Sequence, residues 1–270
     1  MKDESEDLMA LHDDVALQAL GSGAFVTQIV DRYWIAVGPN GGYLGALVAS
    51  AGDTHVADAE RQLRSLTIHY LLPPELGQVR INVQTVRSGK SVDFLRFEMI
   101  QDDKPVLVAT GVWALSNKII ETPTLTMPEV PSPDLCLPGV RLTEKPTRLH
   151  EQWEIRSVDT LETDTSTPSL TWWIRPAKET PMSSSLVIAI ADALPPPIFV
   201  LSLDLKSVPT IDLTVHIRTD LASVNWSSDS WVLVHFATTH ASGGFLEEDG
   251  HMWHQNGTLL GMSRQLALAR

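Results

Sequence analysis

The chain has 270 residues, of which 43% are hydrophobic and 20% are charged, a composition typical of a folded globular protein rather than a disordered one. Its formal net charge of −13 argues against nucleic acid or an anionic membrane surface as a partner, because both require a basic face. The single cysteine, Cys136, excludes an intrachain disulfide, and the acidic N-terminus lacks an apolar signal region. These features predict a cytoplasmic protein without membrane insertion.

The first half of the chain predicts one helix followed by antiparallel strands. The helix extends from Gly41 to about residue 55, and a strand follows at 65–70. Apolar and polar residues alternate through 79–86 up to a turn at 87–90, and two further strands are predicted at 94–100 and 106–115. We assign residues 1–115 to an N-terminal domain.

A proline-rich segment, 116–150, divides the chain into two nearly equal parts and is predicted to be a linker. Residues 151–270 form the predicted C-terminal domain.

The C-terminal part repeats the pattern of the N-terminal part. The sequence Leu-Thr-Ile-His-Tyr at 66–70 recurs as Leu-Thr-Val-His-Ile at 213–217, about 147 residues later. A helix is predicted before it at 183–194, and a final strand at 259–268 matches 106–115. The shared order of elements indicates a duplication. We therefore predict an α+β fold of two antiparallel sheets, each wrapped around a long central helix and set side by side as a pseudo-dimer.

The apolar run at 185–197 carries one carboxylate, Asp192. An ionised acid in such surroundings is costly unless it is paired or used, and neighbours such as Ile190 and Leu194 should raise its pKa. These properties suit a general base. The alternative is that Asp192 caps or exposes the end of its own helix, where a negative charge opposes the helix dipole.

Two segments carry a family resemblance that covers the chain from about residue 20 onward. The sequence Val-Gly-Pro-Asn-Gly-Gly-Tyr-Leu-Gly-Ala-Leu at 37–47 and the final strand at 257–268 resemble the acyl-CoA thioesterase II family, which has a double hotdog fold. In that family an Asp, a Thr and a Gln hold the nucleophilic water. The resemblance places these roles on Asp192, Thr210 and Gln265. The prolines at 195–197 depart from the usual family sequence.

The resemblance implies hydrolysis of an acyl thioester to free coenzyme A and a carboxylic acid, with no cofactor beyond the coenzyme A of the substrate. The acyl group could arrive on coenzyme A or on a carrier protein. The backbone N–H groups of Asn40, Gly41 and Gly42, at a predicted helix start, could bind a carbonyl or phosphate, or could form a plain turn-to-helix junction. Arg87 and Lys90 could contact coenzyme A phosphates, or could lie in a solvated hairpin turn.

The repeat predicts that only the second half keeps the hydrolytic residues. Leu63 matches Thr210, Ser50 and Ala51 match the region of Asp192, and Val112 stands where Gln265 would be. On its own strand, Gln265 is the one amide among the small residues Gly261, Ser263 and Ala267, which leave room for a ligand.

Two other functions remain open at this point: a hydratase or dehydratase acting on acyl thioesters, and a non-catalytic acyl-CoA binder. His251 and His254 lie near Glu247 and Glu248, but no third ligand has convincing spacing, so we predict no metal site. The family resemblance also makes further association into a homo-oligomer possible.

Overall fold

The computed structural model describes residues 9–35, 38–117, 125–139, 147–158, 168–201 and 204–270. Parts of the predicted linker, 118–124 and 140–146, lie outside these residues, as does residue 37, the first of the 37–47 segment. The described helices are α1 (Leu11–Asp14), α2 (Gly41–Val56) and α3 (Ser184–Ile190). The described strands are β1 (Gln18–Gly21), β2 (Ala24–Ile29), β3 (Arg61–Tyr70), β4 (Gly77–Ser88), β5 (Val92–Gln101), β6 (Lys104–Leu115), β7 (Leu137–Pro138), β8 (Trp153–Ser157), β9 (Ser169–Pro176), β10 (Thr210–Ile217), β11 (Val232–Ala237), β12 (Ala241–Ser242), β13 (Phe245–His254) and β14 (Leu259–Leu268).

The strands form one continuous antiparallel sheet, in which the two predicted sheets are joined edge to edge. Its order is β1-β2-β4-β5-β6-β3-β10-β14-β13-β11-β9-β8-β7, with β12 paired to β13. The two halves join where β3 pairs with β10. The physical reason is that β3 and β10 would otherwise each be an edge strand with unpaired N–H and C=O groups, which this pairing satisfies.

The repeated sequences lie opposite each other at that junction. Thr67 faces Thr214 across β3 and β10, and their hydroxyl oxygens are 3.0 Å apart. His69 pairs with Asp212 and Ser65 with His216, so the two motifs are related by a local two-fold axis. Both strands also have an irregularity at the same place, between Leu63 and Ser65 in β3 and between Thr210 and Asp212 in β10. Equivalent positions in the two halves can therefore be read from the strand register.

The two central helices differ in length, which corrects the prediction of a long helix in each half. α2 has 16 residues, and the side chain of Asn40 caps it by accepting a hydrogen bond from the Tyr43 N–H. α3 has only 7 residues and ends at Ile190, short of the predicted 194. Prolines 195–197 explain the difference, since proline cannot continue a helix and disfavours helical geometry in the residue before it.

The core lies between the helices and the sheet. Residues along α2 and α3 such as Leu47, Val48 and Ile188 are fully shielded, as are the strand residues Ile68 and Leu213. Burial of this apolar surface supplies most of the driving force for the fold. It also places the N-terminus of α2 beside the turn that follows α3, where the candidate site lies.

The described part of the predicted linker packs on the second half. Leu137–Pro138 adds a short strand to β8, the Trp173 indole N–H donates to the carbonyl of Pro131 at 2.9 Å, and the Trp253 indole N–H donates to that of Leu125 at 3.3 Å. These residues are therefore held against the C-terminal part of the sheet.

Candidate active site

Asp192 lies in the turn after α3 and points at the N-terminus of α2. Its Oδ2 accepts hydrogen bonds from the Gly42 N–H at 2.9 Å and from the Asn40 amide at 3.0 Å. The Asn40 amide also donates to the Asp192 carbonyl at 2.7 Å. A helix N-terminus favours negative charge, so the carboxylate caps the helix of the opposite half rather than its own. This explains how an acid is tolerated in an apolar segment.

The surroundings of Asp192 tune its acidity in two directions. Burial raises the pKa of the carboxyl to about 6, although the hydrogen bonds from Gly42 and Asn40 and the backbone of Gly41 favour the ionised form and lower it. The hydrogen bonds from the Gly42 N–H and the Asn40 amide are both accepted by Oδ2 of Asp192, which leaves Oδ1 as the oxygen that can accept a proton. At neutral pH the group is therefore mostly ionised and moderately basic.

A second polar cluster runs across three neighbouring strands. The Thr210 hydroxyl on β10 donates to Gln265 Oε1 on β14 at 2.9 Å, and Gln265 Nε2 donates to Glu248 Oε1 on β13 at 2.7 Å. Gln265 is 4% exposed and Glu248 is 3% exposed. The structure thus brings together two of the predicted site residues and adds a buried acid that we did not predict.

Glu248 could have been found from strand alternation. In β13 the residues Leu246, Glu248, Gly250 and Met252 are buried, while the residues that alternate with them between 246 and 252 are half-buried. An acid at a core-facing position of a strand is unusual and signals a polar partner inside the fold. We considered this glutamate only as a metal ligand.

The two clusters are electrostatically coupled. Burial raises the pKa of Glu248 to about 8, and the negative charge of Asp192 contributes to the same shift. Asp192, Thr210 and Gln265 all belong to the described part of the chain, and no direct hydrogen bond joins Asp192 to either of the other two. Among the described residues, the carboxylate of Asp192 is therefore linked to this cluster through its charge on Glu248 rather than by a hydrogen bond.

Tyr70 is a further neighbour that the sequence did not single out. Its hydroxyl donates to the Gly41 carbonyl at 2.8 Å, and burial followed by the charge of Asp192 raises its pKa well above the ordinary value. The phenol therefore stays neutral and holds the first peptide of α2 in place beside Asp192.

The predicted phosphate contacts are not brought to this site. Arg87 and Lys90 lie at the β4–β5 hairpin, where the carbonyls of Gly89 and Lys90 accept hydrogen bonds from Arg61. Arg61 begins β3 and Tyr70 ends it, so the hairpin and Asp192 are separated by roughly 30 Å of strand.

At the equivalent place in the first half, the described residues form no comparable polar cluster. Leu66 pairs with Gly111 as Leu213 pairs with Gln265, so Gly111 rather than the predicted Val112 stands at the glutamine position. By the same register Leu63 replaces Thr210 and Leu95 replaces Glu248. The side chain of Trp113 covers Gly111 and donates its indole N–H to the carboxylate of Asp53 at 2.7 Å. An indole thus fills the space that the second half leaves to Gln265.

One open cleft lies elsewhere. A cleft of about 550 Å³ is lined by His12 and by residues from segments 179–182 and 221–228, and it includes none of Asp192, Thr210 or Gln265. Its lining has no Lys or Arg, and it includes no residue of the polar clusters described above, so those clusters are the better guide to chemistry.

Within the described part of the chain, no group of three or more His, Cys, Asp or Glu side chains is arranged to hold a metal ion. The helices in these residues are too short or too polar to span a lipid bilayer.

Solved structures share this fold over nearly the whole chain. A protein of unknown function with a hot dog fold from Alicyclobacillus acidocaldarius has a TM-score of 0.88 and 24% identity, covering 97% of this chain and 98% of its own. A tesB protein from Mycobacterium avium subsp. paratuberculosis has a TM-score of 0.79 and 22% identity, with 96% and 98% covered. An acyl-CoA thioesterase II from Mycobacterium marinum has a TM-score of 0.74 and 19% identity, with 97% and 98% covered. At these identities the likeness establishes the hot dog fold.

The family assignment comes from the sequence. No curated protein matches it significantly. Residues 30–114 match the family model of the acyl-CoA thioesterase N-terminal domain, and residues 126–269 match that of the acyl-CoA thioesterase C-terminal domain, which begins inside the predicted linker. The chain therefore belongs to the acyl-CoA thioesterase family and is a thioester hydrolase.

Proposed function

We propose that the protein hydrolyses acyl-CoA with Asp192 as the general base. Asp192 Oδ1 takes a proton from a water molecule, the water oxygen attacks the thioester carbonyl carbon, and the C–S bond breaks. The thiolate of coenzyme A then takes the proton from Asp192, so a free thiol and a carboxylic acid leave. The observation that carries the proposal is a carboxylate that is held through Oδ2 and whose charge acts on Glu248 of the Thr210–Gln265–Glu248 cluster, in a chain of this family.

Thr210 and Gln265 supply the polar contacts for the water or the oxyanion. The amide oxygen of Gln265 is occupied by the Thr210 hydroxyl, and one of its N–H groups by Glu248. The amide has two N–H donors, so one remains for the reacting water or for the negative oxygen that forms on the carbonyl carbon. This N–H group of Gln265 stabilises the negative charge that develops on the carbonyl oxygen during the reaction.

Asn40, Gly41 and Gly42 hold the base in this proposal. Their polar groups act on the Asp192 carboxylate, which differs from the direct substrate contact expected from the sequence. Arg87 and Lys90 remain predicted phosphate contacts without support from the geometry, and we leave them out of the proposed site.

The finer fold and cellular context also belong to the proposal. We expect each half of the continuous sheet to curl around its own helix, with domain bounds near 1–115 and 151–270. Acyl-CoA is the proposed substrate, with an acyl-carrier thioester as the other source of the same bond, and the cytoplasm is the proposed location.

The test is thiol release from a panel of acyl-CoAs that differ in acyl length. Hydrolysis should release one thiol for each carboxylic acid formed. Tight binding of acyl-CoA without thiol release would support a non-catalytic binder, and conversion of an enoyl-CoA with its thioester intact would support a hydratase. Either result contradicts the proposal.

The pH dependence of kcat/KM should follow the ionisation of Asp192. The base must be deprotonated and burial raises its pKa to about 6, so kcat/KM should rise with pH and reach half of its plateau near pH 6. Stopped assays of thiol release between pH 4.5 and 7.5 would measure this limb. A plateau that already extends down to pH 4.5 would show that another group is the base.

Removing the Asn40 amide should shift the rising part of the kcat/KM profile to higher pH. The amide donates to Asp192 Oδ2 and lowers its pKa, so Asn40→Ala should raise the pKa and move half-maximal kcat/KM to higher pH. Ser50→Ala is the matched control, because it removes another polar side chain of α2 whose hydroxyl bonds the Val15 carbonyl. An unchanged limb in Asn40→Ala would show that Asp192 does not control the profile.

A further inference from the structure

We propose that Glu248 is a positioning residue, which fixes the orientation of the Gln265 amide so that one N–H faces the reacting water or carbonyl oxygen. This inference rests on the proposed function, because it assigns the role of Gln265 to that reaction. It concerns a residue that neither the sequence motifs nor the family resemblance assigned.

The first step concerns which way the amide points. An amide side chain can rotate by 180° and exchange its donor and its acceptor, and a threonine hydroxyl accepts either arrangement because it can donate or accept. Thr210 alone therefore leaves the amide of Gln265 undetermined. Glu248 Oε1 lies 2.7 Å from Gln265 Nε2 and pairs with Gln265 directly across β13 and β14. With its proton on Oε2, which has no hydrogen-bond partner among the described residues, the neutral acid keeps Oε1 as an acceptor. Oε1 of Glu248 therefore holds the NH2 group on its side and leaves Oε1 of Gln265 to Thr210.

The second step is that the fold does not require an acid at this position. In the first half the equivalent residue is Leu95, which is 2% exposed and pairs with Gly111 across β5 and β6. Glu248 is equally shielded, and its Oε2 has no hydrogen-bond partner among the described residues. Burying a carboxyl group with one unpartnered oxygen costs free energy that a leucine avoids. A gain elsewhere must offset this cost, and the contact with Gln265 is the one that the structure provides.

The third step concerns charge. Asp192, from the turn after α3, and Asp249, on the same strand, are the charged groups that act on Glu248, and Asp249 is itself paired with Arg264 at 2.6 Å. Burial and the charge of Asp192 raise the pKa of Glu248 to about 8, so this carboxyl is mostly neutral at pH 7. Ionisation above pH 8 would add a second negative charge beside the oxyanion of the transition state. The activity should therefore fall as pH rises through about 8.

Two substitutions test the role. Glu248→Leu copies the residue of the first half, so the protein should fold while kcat falls by on the order of 10- to 100-fold with little change in KM, because the amide is no longer held. Glu248→Gln keeps a carbonyl oxygen that can accept from Gln265, but its own amide can also rotate, so it should recover part of that loss. It should also remove the fall in kcat/KM near pH 8, since an amide does not ionise.

The readouts separate this inference from the proposed function. Thiol release, circular dichroism and pH profiles would be compared for wild type, both Glu248 variants and Asp192→Asn. A wild-type kcat in folded Glu248→Leu, or a descending limb near pH 8 that persists in Glu248→Gln, would overturn the positioning role. If Asp192→Asn is inactive in the same experiment, the proposed function stands and only this inference fails; if Asp192→Asn is fully active, the proposed function itself fails.

Discussion

Replacing Asp192 with asparagine is expected to lower kcat by on the order of 100- to 10,000-fold, the range that a general base contributes. Asparagine has nearly the same shape, and its carbonyl oxygen can still accept from the Gly42 N–H, but it cannot take a proton from water. Burial raises the pKa of Asp192 to about 6, above its value in the unfolded chain. Keeping this carboxyl ionised at pH 7 therefore costs the folded protein some of its free energy of unfolding. The variant should therefore melt no lower than the wild type. Thiol release and thermal unfolding would be measured on the same samples.

Asp53→Asn is the matched control for this experiment. Asp53 is a carboxylate of α2, and it accepts hydrogen bonds from Trp113 and Ser184. We expect this variant to keep kcat per folded molecule and to lose some stability, since its role is structural. Wild-type turnover in Asp192→Asn would show that the roles are assigned to the wrong acids. Unfolding of Asp192→Asn together with a loss of turnover in Asp53→Asn would show the same.

Gly42→Ala should reduce both stability and activity. A Cβ at this position would lie 2.7 Å from the Ala189 carbonyl oxygen and 3.0 Å from Asp192 Cβ, and the first of these is backbone that cannot move without shifting α3. Overpacking of this kind costs about 1–3 kcal/mol of unfolding free energy. The same shift displaces the base, and a displacement of about 1 Å can lower kcat by on the order of 100-fold. Urea unfolding and thiol release would measure the two effects.

Gly45→Ala separates packing from positioning. A Cβ there would meet the side-chain ends of Ile188 and Ile68, at 2.7 Å and 2.8 Å, one turn along the same helix. It should also destabilise the protein, but it does not touch Asp192, so its kcat should fall much less. Equal losses of kcat in the two variants would contradict a specific role for the contact between Gly42 and Asp192.

Much of the fold followed from the sequence because it depends on local patterns. The period-two alternation predicted the strands, and the repeated Leu-Thr-x-His segments marked the two strands that pair at the centre of the sheet. The Thr210–Gln265 contact lies between residues chosen from the family resemblance. Two units set side by side would be expected to share one sheet, but the sequence could not reveal the register in which β3 and β10 pair, because edge pairing depends on how the halves meet.

The details of the site depended on contacts between distant segments. Asp192 caps α2, some 150 residues away in sequence, and no local pattern around Asp192 records that contact. The helix before it stops early because of the prolines, which the sequence displayed but which we did not use to end the helix. Val112 was chosen as the counterpart of Gln265 from sequence offset alone, and a shift of one residue in the strand register moved the position to Gly111.

The central claim is that the acyl thioester binds with its carbonyl carbon between Asp192 and the Thr210–Gln265 pair. A crystal structure with a non-hydrolysable acyl-CoA analogue would measure this directly. We predict an ordered water within about 3 Å of Asp192 Oδ1 and in line with the carbonyl carbon, and a Gln265 N–H within hydrogen-bonding distance of that water or of the carbonyl oxygen. An analogue whose carbonyl carbon lies in the cleft lined by segments 179–182 and 221–228, away from Asp192, would contradict the account.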